Sequence, residues 1–428
     1  MAVRFLHLAL GALLTLAAPE PAPAADAQST NASRLSGTGA LQPFFLALTA
    51  LDRHRATHPL RIMQIGDSHT ANDSFSGRLR ERLQARFGAA GRGWLPAGIP
   101  FKYYRPALVT VTETGWRHLR PPDGEAAVPL GIDAVSAEAS EPGAHMELTS
   151  TEPEGFSRFA IEIVTSPHGA PLSVRIDDGN ARQIATDAHQ TALRRIEMLL
   201  PHPAHRVEIT AAAPGGQRLL GWAVERRRPG IIYENHGTIG ATVTLLTKLN
   251  PSTVGVEMSE HHPGLLVIAF GTNEGFDDSL NLAQYAARFR STVAALRRHA
   301  PGASVLVIGS PDGSRLSKEC AAQPHQDLGC KPKAASGDAC VWSEPLNLAP
   351  VRDIQRRIAA REGWAFWDWS AAMGGSCAMH RWLAQDPPLA MPDHVHLNKA
   401  GYTLTADALF GDLMHAYDSW KTAHTVRR

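Results

Sequence analysis

The sequence predicts an α/β protein, an open sandwich of parallel strands and helices interrupted by an all-β stretch. Three observations carry that prediction. Apolar runs such as "LLVIAF" (265–270) and "SVLVIGS" (304–310) lack polar alternation, as expected of strands buried on both faces. Segments with apolar residues at helical spacing follow such runs. Between about Ile99 and Arg228 the period changes to two, with Gly and Pro clusters between the runs.

The elements follow in order. Arg4, the apolar stretch Leu6 to Ala17 and the small residues Ala22-Pro23-Ala24 and Ala25-Asp26-Ala27 read as a secretory signal peptide over 1–24. The apolar stretch is too short to span a bilayer. Residues 25–42, rich in Ala, Ser, Thr, Gly and Gln, read as a flexible lead-in. Leu60 to Ile65 predicts a strand. Phe75, Leu79, Leu83 and Phe87 then recur every four residues, with Gly88 as a cap, and complete a first strand–helix part over 43–98.

The all-β stretch spans 99–228. Phe159, Ile161 and Ile163 alternate with other residues, as do Leu172, Val174 and Ile176, then Val207 and Ile209, the pattern of an antiparallel sandwich. The α/β rhythm resumes over 229–428. After the strand at 265–270, Leu282, Tyr285, Phe289, Val293 and Leu296 trace a helical stripe. The strand at 304–310, a helix marked by Val351, Ile354 and Ile358, a strand "AFWDW" (365–369) and a helix from Leu404 to Leu413 complete it.

The formal net charge of +1 gives no support for a nucleic-acid partner, which would show a basic face. The four cysteines, Cys320, Cys330, Cys340 and Cys377, form no CxxC pair, which disfavours zinc. Two disulfides pinning an excursion at 315–345 fit an exported chain, with three connectivities open.

"IGDSHTAND" (65–73) places Ser68 at a strand end just before a helix, where open α/β sheets present side chains to ligands. A serine nucleophile needs a base, and the base an orienting carboxylate. In "PDHVHLNKAGY" (392–402), Asp393 can reach a ring nitrogen of His396, while His394 points elsewhere. His69, adjacent to Ser68, is a poorer base because neighbouring side chains diverge. Asn273 in "FGTNEGFDD" (270–278) also emerges at a strand end and supplies an oxyanion donor. "HGTIGATV" (236–243) supplies a backbone N–H at Gly240, with Gly237 as the alternative.

Other residues read more plainly. His261-His262-Pro263 reads as a surface loop rather than a metal pair. Phe366, Trp367 and Trp369 read as buried against a helix. Tyr103, Tyr104 and Trp116 fit either core packing or sugar stacking. Glu274 and Asp277 fit either helix N-terminal charge or a substrate amide contact.

The four motifs, in this order, resemble the SGNH (GDSL-type) hydrolase superfamily. With "GRGWLPAG" (91–98) and "FWDWSAAMGG" (366–375), the chain from about Leu60 onward is similar to the periplasmic peptidoglycan O-acetylesterases of Gram-negative bacteria. The resemblance implies a three-layer α/β/α, flavodoxin-like hydrolase domain with an inserted, carbohydrate-binding-module-like all-β sandwich. It implies Ser68 as nucleophile, Asp393 and His396 as its triad partners, and Ser68, Gly240 and Asn273 as the oxyanion hole. It implies hydrolysis of the C6 O-acetyl ester of N-acetylmuramic acid in O-acetylated peptidoglycan through an acetyl-serine, in the periplasm, without metal or cofactor. The alternatives are a peptidoglycan or polysaccharide O-acetyltransferase with the same triad, or a non-catalytic cell-wall-binding protein.

Overall fold

The structure, a computed structural model, describes residues 34–121, 130–316, 320, 329–332 and 340–425. The expected signal peptide at 1–24, residues 25–33 of the lead-in and much of the excursion at 315–345 lie outside the described residues.

Five parallel strands form the central sheet: Leu60–Gly66, Ile231–Gly237, Leu265–Ala269, Ser304–Gly309 and Ala365–Asp368. Numbered in chain order, they lie side by side as 2-1-3-4-5, the doubly wound order of flavodoxin-like sheets. Alternate residues of four of these strands feed different cores, whereas Ile231 and Tyr233 of Ile231–Gly237 feed only one of them. Ile62, Val267, Ile308 and Trp367 pack with helices Gln42–Asp52, Ser74–Phe87 and Lys399–Thr425 on one face. Met63, Ile268, Val307 and Phe366 pack with helices Pro251–His261, Leu282–His299 and Leu348–Glu362 on the other. Strands covered on both faces need apolar side chains in both directions, which accounts for the unalternated runs.

Two antiparallel sheets occupy the period-two region. One contains Val109–Thr114, His145–Ser150, Arg206–Ala211, Leu172–Ile176 and Arg182–Ile184. The other contains Trp116–Leu119, Ser136–Ala139, Arg218–Glu225, Phe156–Thr165 and Ala192–Ala204. Met146, Val174 and Ile209 of the first share one apolar core with Phe159, Ile161 and Trp222 of the second. Tyr104 and Trp116 are buried in that core, whereas Tyr103 is 73% exposed.

Several expectations need correction. Gly91–Pro96, placed by sequence with the first α/β part, pairs antiparallel with Arg218–Glu225. The lead-in expected over 25–42 is built into the fold from residue 35. Leu35 and Ser36 pair with Trp367 and Phe366 at the sheet edge, and Leu35 is buried. Burial of one leucine and a two-residue ladder outweigh a composition that favours disorder. Strand Ile231–Gly237 has no apolar signature beyond Tyr233, because Glu234, Asn235 and His236 are buried through polar partners. His261 is not on a surface loop: it ends helix Pro251–His261 and is buried against Glu234.

No helix among the described residues is long and apolar enough to cross a membrane. The four cysteines pair as Cys320–Cys340 and Cys330–Cys377, which selects one of the three connectivities.

Candidate active site

In a 2-1-3-4-5 sheet the chain reverses direction between the first and third strands, and their carboxyl ends leave a crevice. Ser68 follows the first strand and Asn273 follows the third, so both open onto that crevice. Asp67, extended at φ −90°, ends the strand turn, and its carboxylate accepts the His69 N–H at 3.0 Å. That cap starts the short helix Ser68–Ala71 and leaves Ser68 half-buried at its first position. Burial pushes the Asp67 carboxyl up to about 6, against the opposing pull of the His69 N–H.

The loop before helix Lys399–Thr425 brings the other partners. His396 Nε2 lies 2.8 Å from Ser68 Oγ, and His396 Nδ1 lies 2.7 Å from Asp393 Oδ2. The other Asp393 oxygen accepts the N–H groups of Val395 and His396, both at 2.9 Å. Burial raises the Asp393 carboxyl, but the His396 ring and these two N–H groups together hold it well below the usual carboxylate range. An ionised Asp393 keeps the proton on His396 Nδ1 and leaves Nε2 to accept from the serine.

His69 stands behind this chain rather than in it. Its Nδ1 is 2.8 Å from the Tyr402 hydroxyl, and its ring centroid is 5.1 Å from that of His396. Burial, then the neighbouring His396, pulls the His69 imidazole down to about 3, so it stays neutral and adds no charge beside the base. Trp369 closes the far side, stacked on Phe75 at 4.3 Å, and Phe366, Trp367 and Trp369 are all buried as expected.

Asn273 lies in the turn of helix Thr272–Gly275 and donates one amide hydrogen to the Ala241 carbonyl at 2.8 Å. Ala241 closes a turn from Thr238, with Gly240 at φ 72°. Gly240 is exposed, and its N–H has no hydrogen-bond partner among the described residues; the Ser68 N–H likewise has none. Gly237 has a different task. A Cβ there would sit 2.1 Å from the Ala71 nitrogen, so its missing side chain lets strand and nucleophile turn pack together. Glu274 is buried with its carboxylate on the Val243 N–H at 2.8 Å; it ties this turn to the next segment and does not face solvent. Exposed Asp277 accepts the Ser279 N–H at 2.9 Å in a local turn.

Two features were not legible beforehand. His394, at φ 56°, turns its ring onto Trp342 with centroids 3.4 Å apart, so the disulfide-bonded segment buttresses the Asp393–His396 loop. A shallow cleft also opens beside the nucleophile turn. Ala71, Thr238 and Ile239 line one side, and Phe101, Tyr104 and Arg120 the other.

Residues 204–404 match the GDSL-like lipase/acylhydrolase family; the match begins late in the antiparallel region and leaves the Ser68 turn outside it. A solved peptidoglycan O-acetylesterase structure is 25% identical, covers 90% of this chain and 99% of its own, and superposes with a TM-score of 0.73. A family two carbohydrate esterase from Clostridium thermocellum in complex with cellohexaose is 12% identical over 70% of this chain and 98% of its own, with a TM-score of 0.29. No curated protein sequence matches the chain. Residues 204–404 are thus similar to the GDSL-like lipase/acylhydrolase family, and the fold of the chain is similar to that of a peptidoglycan O-acetylesterase.

Proposed function

We propose that this protein is a serine esterase that removes O-acetyl groups from peptidoglycan, at the C6 hydroxyl of N-acetylmuramic acid, in the periplasm. The observation that carries the reading is the unbroken chain from Ser68 Oγ through His396 to Asp393, at 2.8 and 2.7 Å. The solved O-acetylesterase with a TM-score of 0.73 supports the substrate class.

His396 Nε2 takes the Ser68 proton as Oγ attacks the acetyl carbonyl carbon. The tetrahedral oxyanion is held by the N–H groups of Ser68 and Gly240 and by the second amide hydrogen of Asn273. The sugar oxygen leaves with the proton from His396. Water, deprotonated by His396, then attacks the acetyl-serine and releases acetate. Asp393 stabilises the imidazolium in both halves without itself taking the proton. The glycan strand lies in the cleft between the two parts of the chain, with the antiparallel sheets as a carbohydrate-binding-module-like wall.

Acetate release from O-acetylated peptidoglycan tests the reading. Wild type releases acetate and Ser68→Ala does not. Hydrolysis of 4-nitrophenyl acetate without release from peptidoglycan would keep the esterase and remove the substrate. Transfer of acetyl to chitooligosaccharide faster than hydrolysis would make the protein a transferase.

A further inference from the structure

Away from Ser68, the structure holds a cluster of buried side chains with no part in acyl chemistry. Glu234, His236 and His261 are all buried, and one ligating atom from each lies within 4.8 Å of the others. Glu234 and His236 are two apart on strand Ile231–Gly237 and therefore share a face. His261 reaches them from the end of helix Pro251–His261.

The two oxygens of Glu234 are used differently. Oε1 accepts from Arg61 Nη1 at 2.5 Å and from the Trp94 N–H at 2.9 Å. Oε2 faces His261 Nδ1 at 3.1 Å and His236 Nε2 at 3.8 Å. His236 Nδ1 is 2.9 Å from Asp133 Oδ1, which orients the ring with Nε2 toward Glu234 Oε2; an ion bound at Nε2 displaces any proton held there. That Nε2 is buried with no hydrogen-bond partner among the described residues. It is aimed into the space beside Glu234 Oε2.

His261 has the same arrangement behind it. Its Nε2 lies 3.7 Å from Glu162 Oε1, with Arg195 Nη1 at 3.4 Å from the same nitrogen. The second Glu162 oxygen is buried and has no hydrogen-bond partner among the described residues. A carboxylate behind each imidazole fixes ring orientation and raises basicity, as outer partners do for metal-bound histidines. Arg61 is also paired with Glu225 Oε1 at 2.8 Å, so a cation beside Glu234 does not face an uncompensated guanidinium.

We propose that Glu234 Oε2, His236 Nε2 and His261 Nδ1 form a structural site for a divalent cation of the zinc class. Two imidazoles and one carboxylate suit zinc or cobalt, whereas calcium and magnesium favour all-oxygen sets. Tetrahedral zinc with ligands near 2.0–2.1 Å separates them by about 3.3 Å. The present spacings of 3.1 and 3.8 Å lie on either side of that value. Water fills the fourth position. Loading displaces any proton shared between the imidazoles and Glu234 and changes no oxidation state. The ion ties strand Ile231–Gly237 to helix Pro251–His261 and, through Asp133 and Glu162, to the antiparallel region. This holds whether or not Ser68 is acylated.

The test uses the full chain, stripped with chelator, dialysed and titrated with Zn²⁺ or Co²⁺. Wild type is expected to bind about one ion per chain and to give cobalt ligand-field absorption. Its Tm should rise by about 3 °C at a hundredfold excess over Kd. His236→Gln and His261→Gln each lose the bound ion and the cobalt bands, and Asp133→Asn weakens affinity about 10- to 100-fold. Wild type that binds neither ion, with an unchanged Tm, overturns the proposal and makes the cluster a purely ionic joint. Stoichiometric binding that survives in both histidine variants overturns it too. The wild-type titration decides the matter even where a variant fails to fold.

Discussion

Asn273 donates its side-chain amide to the Ala241 carbonyl at 2.8 Å, which fastens the start of one helix to the turn that presents Gly240. The two N–H groups proposed to hold the oxyanion, from different strand ends, are thereby held at one spacing. Because an amide nitrogen carries two hydrogens, one remains for the reacting carbonyl. Asn273→Ala is expected to lower kcat on 4-nitrophenyl acetate about 100- to 1,000-fold with little change in KM. A raised KM with unchanged kcat would make Asn273 a substrate-positioning residue instead.

The two glycines of the same segment separate by stability. Alanine at position 237 meets the Ala71 backbone nitrogen at 2.1 Å, and backbone cannot swing aside. Gly237→Ala should therefore destabilise by about 2–3 kcal/mol. Alanine at position 240 enters open space and bears only the left-handed φ of 72°. Gly240→Ala should cost about 1–2 kcal/mol. Urea midpoints of the two variants check this; equal losses would contradict the assignment.

Burial raises the Asp67 carboxyl to about 6, above its unfolded value. The folded protein therefore holds that proton more tightly. The stability this provides is full below about pH 4 and is lost as pH rises through about 6. Asp67→Asn keeps an N-cap acceptor and removes the titration. Its Tm should vary less than wild type between pH 4 and 7 and should be no lower at pH 7. A Tm well below wild type at pH 7 would show that the charge itself holds the turn.

The Cys330–Cys377 disulfide anchors the segment whose Trp342 stacks on His394, two residues before His396. Replacing both cysteines by serine should cost about 2–4 kcal/mol and should also lower kcat by loosening the Asp393–His396 loop. The check is thermal melting in parallel with esterase assays. A lower Tm with unchanged kcat at 25 °C would separate the brace from the site.

The legibility of this chain followed the range of the interactions. The Asp393–His396 pair is local, three positions apart on one loop, and its spacing suggested the contact that the structure makes. The period-two run at Leu172 announced an antiparallel strand because Leu172 and Val174 face the core while Arg175 is exposed; the run at Phe159 is buried on both faces, and its alternation survives because Glu162 is buried against Arg195. Strand Ile231–Gly237 was silent. Its buried Glu234 pairs with Arg61 and Trp94, and Nδ1 of its buried His236 pairs with Asp133; all three partners are distant in sequence, and hydrophobic periodicity cannot register them. His261 was misread for the same reason. Gly91–Pro96 reads equally well on either side of the boundary; only its pairing with Arg218–Glu225 decides.

The central claim is that Ser68 carries the acyl group. The direct measurement is mass spectrometry of the protein quenched in acid during turnover of 4-nitrophenyl acetate, followed by digestion. The account predicts one acetylated peptide, containing Ser68, that accumulates in Asn273→Ala or wild type and is absent from Ser68→Ala. Acetylation at another residue, or undiminished turnover by Ser68→Ala with no acetylated peptide, would contradict it.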